Sequence, residues 1–546
     1  LKSENHRLFI QGALALMIAH PSQDNGLAVL QHCGELMGGF ISDRNFIDML
    51  RLMQVTILRG AITGEDVPEL KVLLADEFPS GNGTMNRELI RLLAALKVDT
   101  ITDRYVQYLK SSANDLDKLQ VAMHLQFIHT GWTNDQKLDL LSFYEDAQLK
   151  EGGNSYPRYI LNATRDFSKT LTEEQSRQVL AFAAEWPNAG LGAMYKLPHT
   201  LDTELFEQLK TLDERIAAFD DEENEAYKRL KVGIVAMLAR SADEASMEYL
   251  REIWVRDPER RLSVTMGLAQ RPDGLNWDLL VQSLPILEKG AATEVVGRLL
   301  SVDKKPDSGE PIRNLIILGQ QLEGGGPARC LKLLEQWTGQ SPAAGIDNPT
   351  QALVAWSEWF AATYPDMPPA VAPVEAEGDK WKFEYLVETL LGDEAIQGSA
   401  ERGEHVFAKA QCAKCHRFGT KGESLGPDLT KLSSRFMKKE ILRSIVFPSH
   451  IISDQYAAKN LVTVDGVVMT GIVALSGDEY LVLQTNGEKI RVAKEDVEEI
   501  TPSKKSAMPD GLLNELTIDE IADLFALLSG STAERVSALP GDTSTK

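Results

Sequence analysis

The sequence predicts a mainly α chain in which a long α-solenoid is followed by a smaller helical domain carrying a short antiparallel β insertion. Three observations predict it. Apolar residues recur at helical spacing from the start to about residue 364, a proline-rich stretch then interrupts them, and from Tyr456 the period turns to strand-like alternation before one last helix. At 546 residues the chain exceeds one core, since domains run to roughly 100–200 residues. Hydrophobic residues make up 43% of it and charged residues 25%, an ordinary globular balance. No run reaches the roughly 18–20 apolar residues of a membrane span, so no transmembrane segment is expected. The formal net charge of −23 argues against nucleic acid as a general partner, because binding phosphates needs a basic surface.

The chain begins at Leu1, which reads as a processed or recombinant piece of something longer, with upstream domains missing. Leu8 to Ala19, after Lys2 and Arg7, has the apolar character of a signal-peptide core, but Gln11 and the patterning that follows favour a first packed helix. Amphipathic helices then succeed one another. Leu89, Leu92, Leu93 and Leu96 make one stripe; Leu116, Leu119, Met123 and Phe127 begin the next; Ile234, Leu238, Met247, Leu250 and Trp254 continue the theme. Met237–Asp243, Gly267–Asp273 and Gly297–Asp303 align at steps of 30 residues. A helix-pair period of that size marks an α-solenoid, whose units bury their apolar faces only against neighbours, and the array resembles HEAT-type repeats. The predicted repeat domain spans residues 1–364 and the Pro-rich linker 365–380, because Pro365, Pro368, Pro369 and Pro373 cannot continue a helix.

The third domain is predicted over 381–530. Trp381–Leu391 and Ser399–Ala410 read as helices, the second running into Cys412. The β insertion, about 456–500, divides into strands at 457–464, 467–475, 480–485 and 489–492, joined by Asp465-Gly466, Ser476-Gly477-Asp478 and Asn486-Gly487, all favoured hairpin turns. Thr517-Ile518-Asp519-Glu520 is a capping box for the last helix, and 531–546 reads as a disordered tail.

Cys412-Ala413-Lys414-Cys415-His416 carries the chemistry. Cys-x-x-Cys-His is the attachment sequence of haem c: a tight turn presents two sulfurs to the two vinyl groups of one porphyrin edge, and the histidine next in line reaches the iron. A zinc site needs two further ligands, and none follows at suitable spacing; a thioredoxin-like pair belongs after a strand in a βαβ unit, which is not predicted here. One covalent haem c, held by Cys412, Cys415 and His416, is therefore expected. Met437, His450, Met469 and Met508 are the downstream candidates for the sixth iron ligand. Met469 falls in a strand and Met437 in a helix, where core or surface roles are ordinary, and His450 sits near a helix end. Met508, in the Pro-bearing loop Ser506-Ala507-Met508-Pro509, is favoured because such a loop can hold a thioether rigidly. His/Met ligation raises the potential and leaves no open iron position, which suits electron transfer.

Gly403 and Phe407 before the motif, Gly426-Pro427-Asp428-Leu429-Thr430 after it, Ser444–Ser449, Tyr456, Met508-Pro509-Asp510-Gly511-Leu512 and the closing Asp523-Leu524 helix follow in an order that resembles the class I cytochrome c fold. The likeness is specifically to the planctomycete-type haem-binding domain at the end of large dehydrogenase-like proteins. It covers residues from about 395 to 530. The resemblance implies that the Pro427 carbonyl accepts a hydrogen bond from His416, and that Gly403 lets the first helix cross closely over the last near Phe525. It also implies helical repeats ahead of the cytochrome and, further upstream, a propeller resembling sugar or polyol dehydrogenases.

Residues 401–450 hold ten Lys/Arg against five Asp/Glu, a balance of +5 in a chain of −23, which leaves −28 on the remainder. Lys409, Lys414, Arg417, Lys421, Lys431, Arg435, Lys438, Lys439 and Arg443 could steer an acidic redox partner, or pair with the acidic solenoid of the same molecule. Gly324-Gly325-Gly326-Pro327 lacks the Lys-Ser/Thr of a phosphate loop, His124 and His129 lack metal-site companions, and Cys33 and Cys330 read as buried thiols. The expected function is one-electron transfer, from an upstream sugar- or polyol-type dehydrogenase to a downstream acceptor, on the periplasmic or otherwise exported side. The alternatives are a haem enzyme with a labile distal site, peroxidase-like, and an assembly scaffold, homo-oligomeric or within a larger complex, with an accessory haem.

Overall fold

The computed structural model describes residues 5–530 apart from 151–154, 220–224, 376, 393, 453–455, 485–487 and 504. The chain forms two compact units, Leu1–Ser241 and Ala242–Lys546, so the division falls within the helical array.

In the first unit, alternate helices form one layer. His6–Ala19, Asp43–Gly60, Gly83–Ala95, Asp115–Leu125, Tyr156–Ser168, Pro187–Met194 and Glu225–Ser241 each pack on the next of that series. The intervening helices make the second layer, for example Gln23–Met37 against Pro68–Asp76 and Thr102–Lys110 against Asn134–Gln148. Each helix thus meets partners near in sequence, as a solenoid requires. The Leu8–Ala19 segment lies in the first packed helix, which buries Phe9, Ala13 and Met17. Leu89, Leu92, Leu93 and Leu96 are all buried as their spacing predicts. The next stripe is shifted. Leu116 is 71% and Phe127 55% exposed, while Val121, Ala122, Leu125 and Ile128 face the core. The reason is that Asp115, Asp117 and Lys118 leave the first turn polar, so the apolar face is set by the second half of the helix.

The second unit continues the array with helices from Glu244–Arg256 to Pro349–Thr363. The 30-residue step corresponds to the ends of alternate helices at Ser241, Leu268 and Leu299; Leu238 and Leu268 are buried equivalents, and in the third copy Leu299, one place later, takes that role. The Pro-rich segment lies along the Gly309–Gln321 helix. Arg313 Nε donates to Pro368 O at 3.0 Å and Pro369 O at 3.1 Å, and Gln320 bonds both Ala370 O (3.1 Å) and Ala372 N (2.8 Å).

Next come the helices Phe383–Leu391, Ala400–Lys409, Lys438–Val446 and Ile518–Ser529, which share a core built on Leu386, Phe407, Leu442, Leu524 and Phe525. Ala400–Lys409 crosses the terminal helix at Gly403, where a Cβ would lie 2.2 Å from Asp523 O. The buried Asp523 carboxylate closes the crossing, accepting from Ser399 N at 2.7 Å and from Arg402 Nη2 and Nε at 2.6 and 2.7 Å. Thr517 and Glu520 form the capping box of the terminal helix.

A two-residue ladder, β1 (Arg417–Phe418) with β2 (Lys421–Gly422), follows the cysteine motif. The insertion is an antiparallel sheet of β3 (Lys459–Thr463), β4 (Val468–Ser476), β5 (Glu479–Gln484), β6 (Lys489–Ala493) and β7 (Val497–Pro502), in the order β6-β5-β4-β3-β7. The four predicted strands are joined by a fifth, β7. Its adjacent glutamates and terminal proline hide the alternation of a strand, and it is held at the sheet edge by β3. Gly466 (φ 79°) and Gly477 (φ 68°) occupy the two described hairpin turns; Asn486-Gly487 and the tail 531–546 lie outside the described residues.

Candidate functional site

The Ala400–Lys409 helix ends just before Gln411, whose positive φ of 64° reverses the chain into a 3-10 turn over Cys412–Lys414. The turn is closed by Cys415 N and His416 N, both donating to Cys412 O, at 3.2 and 2.9 Å. Both motif cysteines therefore sit on one turn, half-buried and not joined to each other. The following loop folds back over them. Glu423 N donates to Ala413 O at 3.0 Å, and Leu425 N and Gly426 N donate to Cys415 O at 3.0 and 2.7 Å.

That return loop orients the histidine. His416 Nδ1 lies 2.9 Å from Pro427 O, and since a carbonyl can only accept, Nδ1 carries the hydrogen and Nε2 keeps the lone pair. Gly426 lies beneath the ring: a Cβ there would be 2.9 Å from His416 Cε1 and 3.0 Å from Nδ1. Burial lowers the imidazole pKa despite the raising effect of the Pro427 bond, so the ring is neutral, as a metal ligand must be. Burial also pushes the Cys412 thiol up to about 11 and raises Cys415, the latter opposed by Lys414 and Lys489. A thiol redox pair works through a lowered pKa, the opposite direction to these shifts.

The structure thus brings Cys412, Cys415, His416 and Pro427 together. Met508 stands on a separate loop, half-buried, its N–H bonded to Ser506 Oγ at 3.1 Å. Ser506 N in turn donates to Ser449 Oγ at 3.1 Å, which ties this loop to the segment after the Lys438–Val446 helix. Of the other sulfur and imidazole candidates, Met469 is buried in the sheet core with Leu461, Val482 and Val492. His450 is half-buried, its pKa pushed down to about 4 by burial and by Arg313 and Arg443. Cys33 and Cys330 are fully buried, and burial pushes both thiols up to about 12. His124 and His129 bond nearby backbone carbonyls, Gln120 O and Gln126 O. No cluster of three metal-ligating side chains occurs among the described residues.

Most of the basic residues are engaged within the second unit. Lys409 pairs with Glu520 at 2.6 Å, Lys421 with Glu404 and Arg417 with Asp428. Two turn toward the helical array: Lys439 meets Glu288 at 2.6 Å and Arg443 donates to Pro285 O at 2.7 Å, while the backbone N–H of Lys438 donates to Glu259 at 2.6 Å. Arg313, itself buried, reaches His450 O at 2.7 Å from the array side. Lys414 bonds only neutral Gln411, and Lys431 and Arg435 have no acidic partner among the described residues.

The residues that sequence reasoning missed are Arg417, Asp428 and Thr430 as a group. Asp428 Oδ1 accepts from Thr430 N at 2.9 Å and Thr430 Oγ1 at 2.5 Å, while Oδ2 accepts from Arg417 Nε at 2.9 Å and from Nη2. Those bonds, those from Thr430 first, hold the Asp428 carboxyl well below its usual range. The Asp-x-Thr spacing was the available signal, a side-chain-to-backbone turn motif.

The donor set fits the cofactor that the motif implies. Two thiols share a turn, and a neutral imidazole presents its free Nε2 with its other nitrogen anchored. The chemistry a haem c supplies when bound is one-electron exchange at iron. No described helix is long and apolar enough to cross a membrane. No curated protein matches this chain. The cytochrome c family model matches residues 400–460, which span the motif, its return loop and the Lys438–Val446 helix, so the chain carries a cytochrome c domain, which implies haem c and electron transfer, after a long helical region.

Proposed function

We propose that this chain is a monohaem c-type electron-transfer component of an oxidoreductase. It takes single electrons from a sugar- or polyol-type dehydrogenase module and passes them to a downstream redox acceptor on the exported, periplasmic side of a bacterial cell. Cys412 and Cys415 provide the thioether bonds, His416 the proximal ligand and Met508 the distal one. The observation that carries this is the His416–Pro427 bond at 2.9 Å, because it fixes the tautomer that directs Nε2 away from the protein backbone. The helical array acts as a HEAT-like scaffold. Since Lys439 and Arg443 are spent on that array, an acidic partner would be steered by Lys414, Lys431 and Arg435, with Phe436 exposed beside them.

The test is the visible spectrum of the purified chain, oxidised and dithionite-reduced, after denaturing extraction to establish covalent attachment. Wild type should retain its haem, show low-spin bands and display the weak far-red feature of sulfur ligation; Met508→Ala should keep the covalent haem but lose that feature and shift toward high spin. A high-spin wild type that binds exogenous ligands readily would replace electron transfer with a haem enzyme having a labile distal site. A wild type without covalent haem would refute both.

A further inference from the structure

The Pro427 carbonyl that orients His416 belongs to a loop whose own position needs explaining, since Pro427 has no N–H with which to anchor itself. Its neighbours do the anchoring. Gly426 N donates to Cys415 O at 2.7 Å on one side, and Leu429 N donates to Arg417 O at 2.8 Å on the other. Between them, Asp428 accepts from both Arg417 and Thr430, and Thr430 Oγ1 accepts from Gly419 N at 2.9 Å. The segment leaving His416 and the segment carrying Pro427 are thereby joined through side chains as well as backbone.

We propose that Arg417, Asp428 and Thr430 form a positioning clamp that holds the Pro427 carbonyl on His416 Nδ1–H and so sets the reduction potential of the iron His416 would ligate. This rests on the haem c function proposed above. An isolated exposed ion pair contributes little, but here one carboxylate fills four acceptor directions, two of them with a side-on guanidinium, which fixes its orientation. The energetic consequence passes through the histidine. A firm bond from Nδ1–H makes the imidazole a stronger electron donor, which favours the oxidised metal; a loosened bond favours the reduced one.

The experiment uses the intact haem-loaded chain with Thr430→Val, which removes the hydroxyl bonds without changing charge, Asp428→Asn, and the conservative Thr430→Ser. Glu423→Gln removes a like charge from the same loop, where Glu423 meets Lys489 at 3.4 Å outside the clamp. Covalent haem content is measured first: a wild type without it overturns the functional proposal and this one with it. With haem present, Thr430→Val and Asp428→Asn should show a more positive midpoint potential. Exchange of the His416 Nδ1 proton, followed by NMR in the reduced state, should be about tenfold faster, the scale of one lost net hydrogen bond. Thr430→Ser should return both to wild type, and Glu423→Gln should leave the exchange rate unchanged. Wild-type exchange rates in Thr430→Val and Asp428→Asn, or a potential shift that Glu423→Gln reproduces in full, would overturn the clamp.

Discussion

Replacing Gly403 with alanine puts two helix effects in opposition, and the structure decides between them. In an exposed helix interior the change stabilises by about 0.5–1 kcal/mol, because glycine gives up more backbone freedom on folding. At Gly403 the added Cβ would lie 2.2 Å from Asp523 O and 2.9 Å from Leu527 Cβ. An ordinary carbon–oxygen contact is about 3.3 Å, so the two helices must part by about 1 Å. The obstructing atom is backbone and has no rotamer to retreat into. Separation also lengthens the bonds from Ser399 and Arg402 to the buried Asp523 carboxylate. Overpacking of this kind costs about 1–3 kcal/mol, which exceeds the propensity gain and leaves a net loss of about 1–2 kcal/mol. Amide hydrogen exchange in the intact chain, resolved by peptide mass spectrometry, reads such local losses directly. The amides of Ala400–Lys409 and Ile518–Ser529 should exchange about 5–30-fold faster in Gly403→Ala. Gly12 is the control: it lies in the His6–Ala19 helix with no atom within 4 Å of its Cβ position, so Gly12→Ala should slow exchange there. Unchanged or slower exchange in Gly403→Ala would refute the steric reasoning.

Glu145 is buried and accepts from Ala189 N at 2.6 Å and Asn188 Nδ2 at 3.1 Å; desolvation nevertheless raises its pKa above the ordinary 4.5. A carboxyl whose folded pKa is raised takes up protons on folding, so it weakens the first unit as pH rises above 4.5. Glu145→Gln should flatten that decline in urea titrations between about pH 4.5 and 7, and an unchanged slope would refute the assignment. The Lys439–Glu288 contact at 2.6 Å is partly exposed, so each single charge reversal should cost about 0.5–1 kcal/mol, the double reversal should recover only part of it because Arg443 also faces Glu288 at 3.8 Å, and 1 M salt should erase the difference. The haem-loaded chain should show no thiol reactive toward an aromatic disulfide reagent until it is unfolded, and then two, because Cys33 and Cys330 are buried with raised pKa while Cys412 and Cys415 are consumed in thioether bonds.

The parts legible in the sequence were those written in short-range spacing. The cysteine motif, the Leu89–Leu96 stripe and the Thr517 capping box each depend on residues within about two helical turns, and each lies where its pattern directs it. What escaped depends on partners far along the chain. The stripe begun at Leu116 fails because the polar first turn of its helix leaves the apolar face to Val121, Ala122 and Leu125, which pack into the core, and β7 becomes a strand only through pairing with β3. The basic residues were legible as either a docking face or a partner of the acidic solenoid, and the choice between them for Lys439 and Arg443 rests on Glu288 and Pro285, more than 150 residues upstream. Asp428 was visible as a turn former, but its hold on Arg417 depends on the chain reversal between them.

The β insertion begins and ends at the same place: Lys459 in β3 pairs with Pro502 in β7, and Ser503 N donates to Ala458 O at 2.9 Å. Paired strand residues stand only about 5 Å apart, so the chain leaves the helical frame and returns to it through adjacent doors. Such a segment is a cassette. It can be shortened, exchanged or enlarged over generations without rethreading the helices that hold Cys412 and His416, and loop-closure entropy penalises a change of its length only logarithmically. Evolution can therefore vary what the sheet meets while leaving the electron-carrying frame untouched.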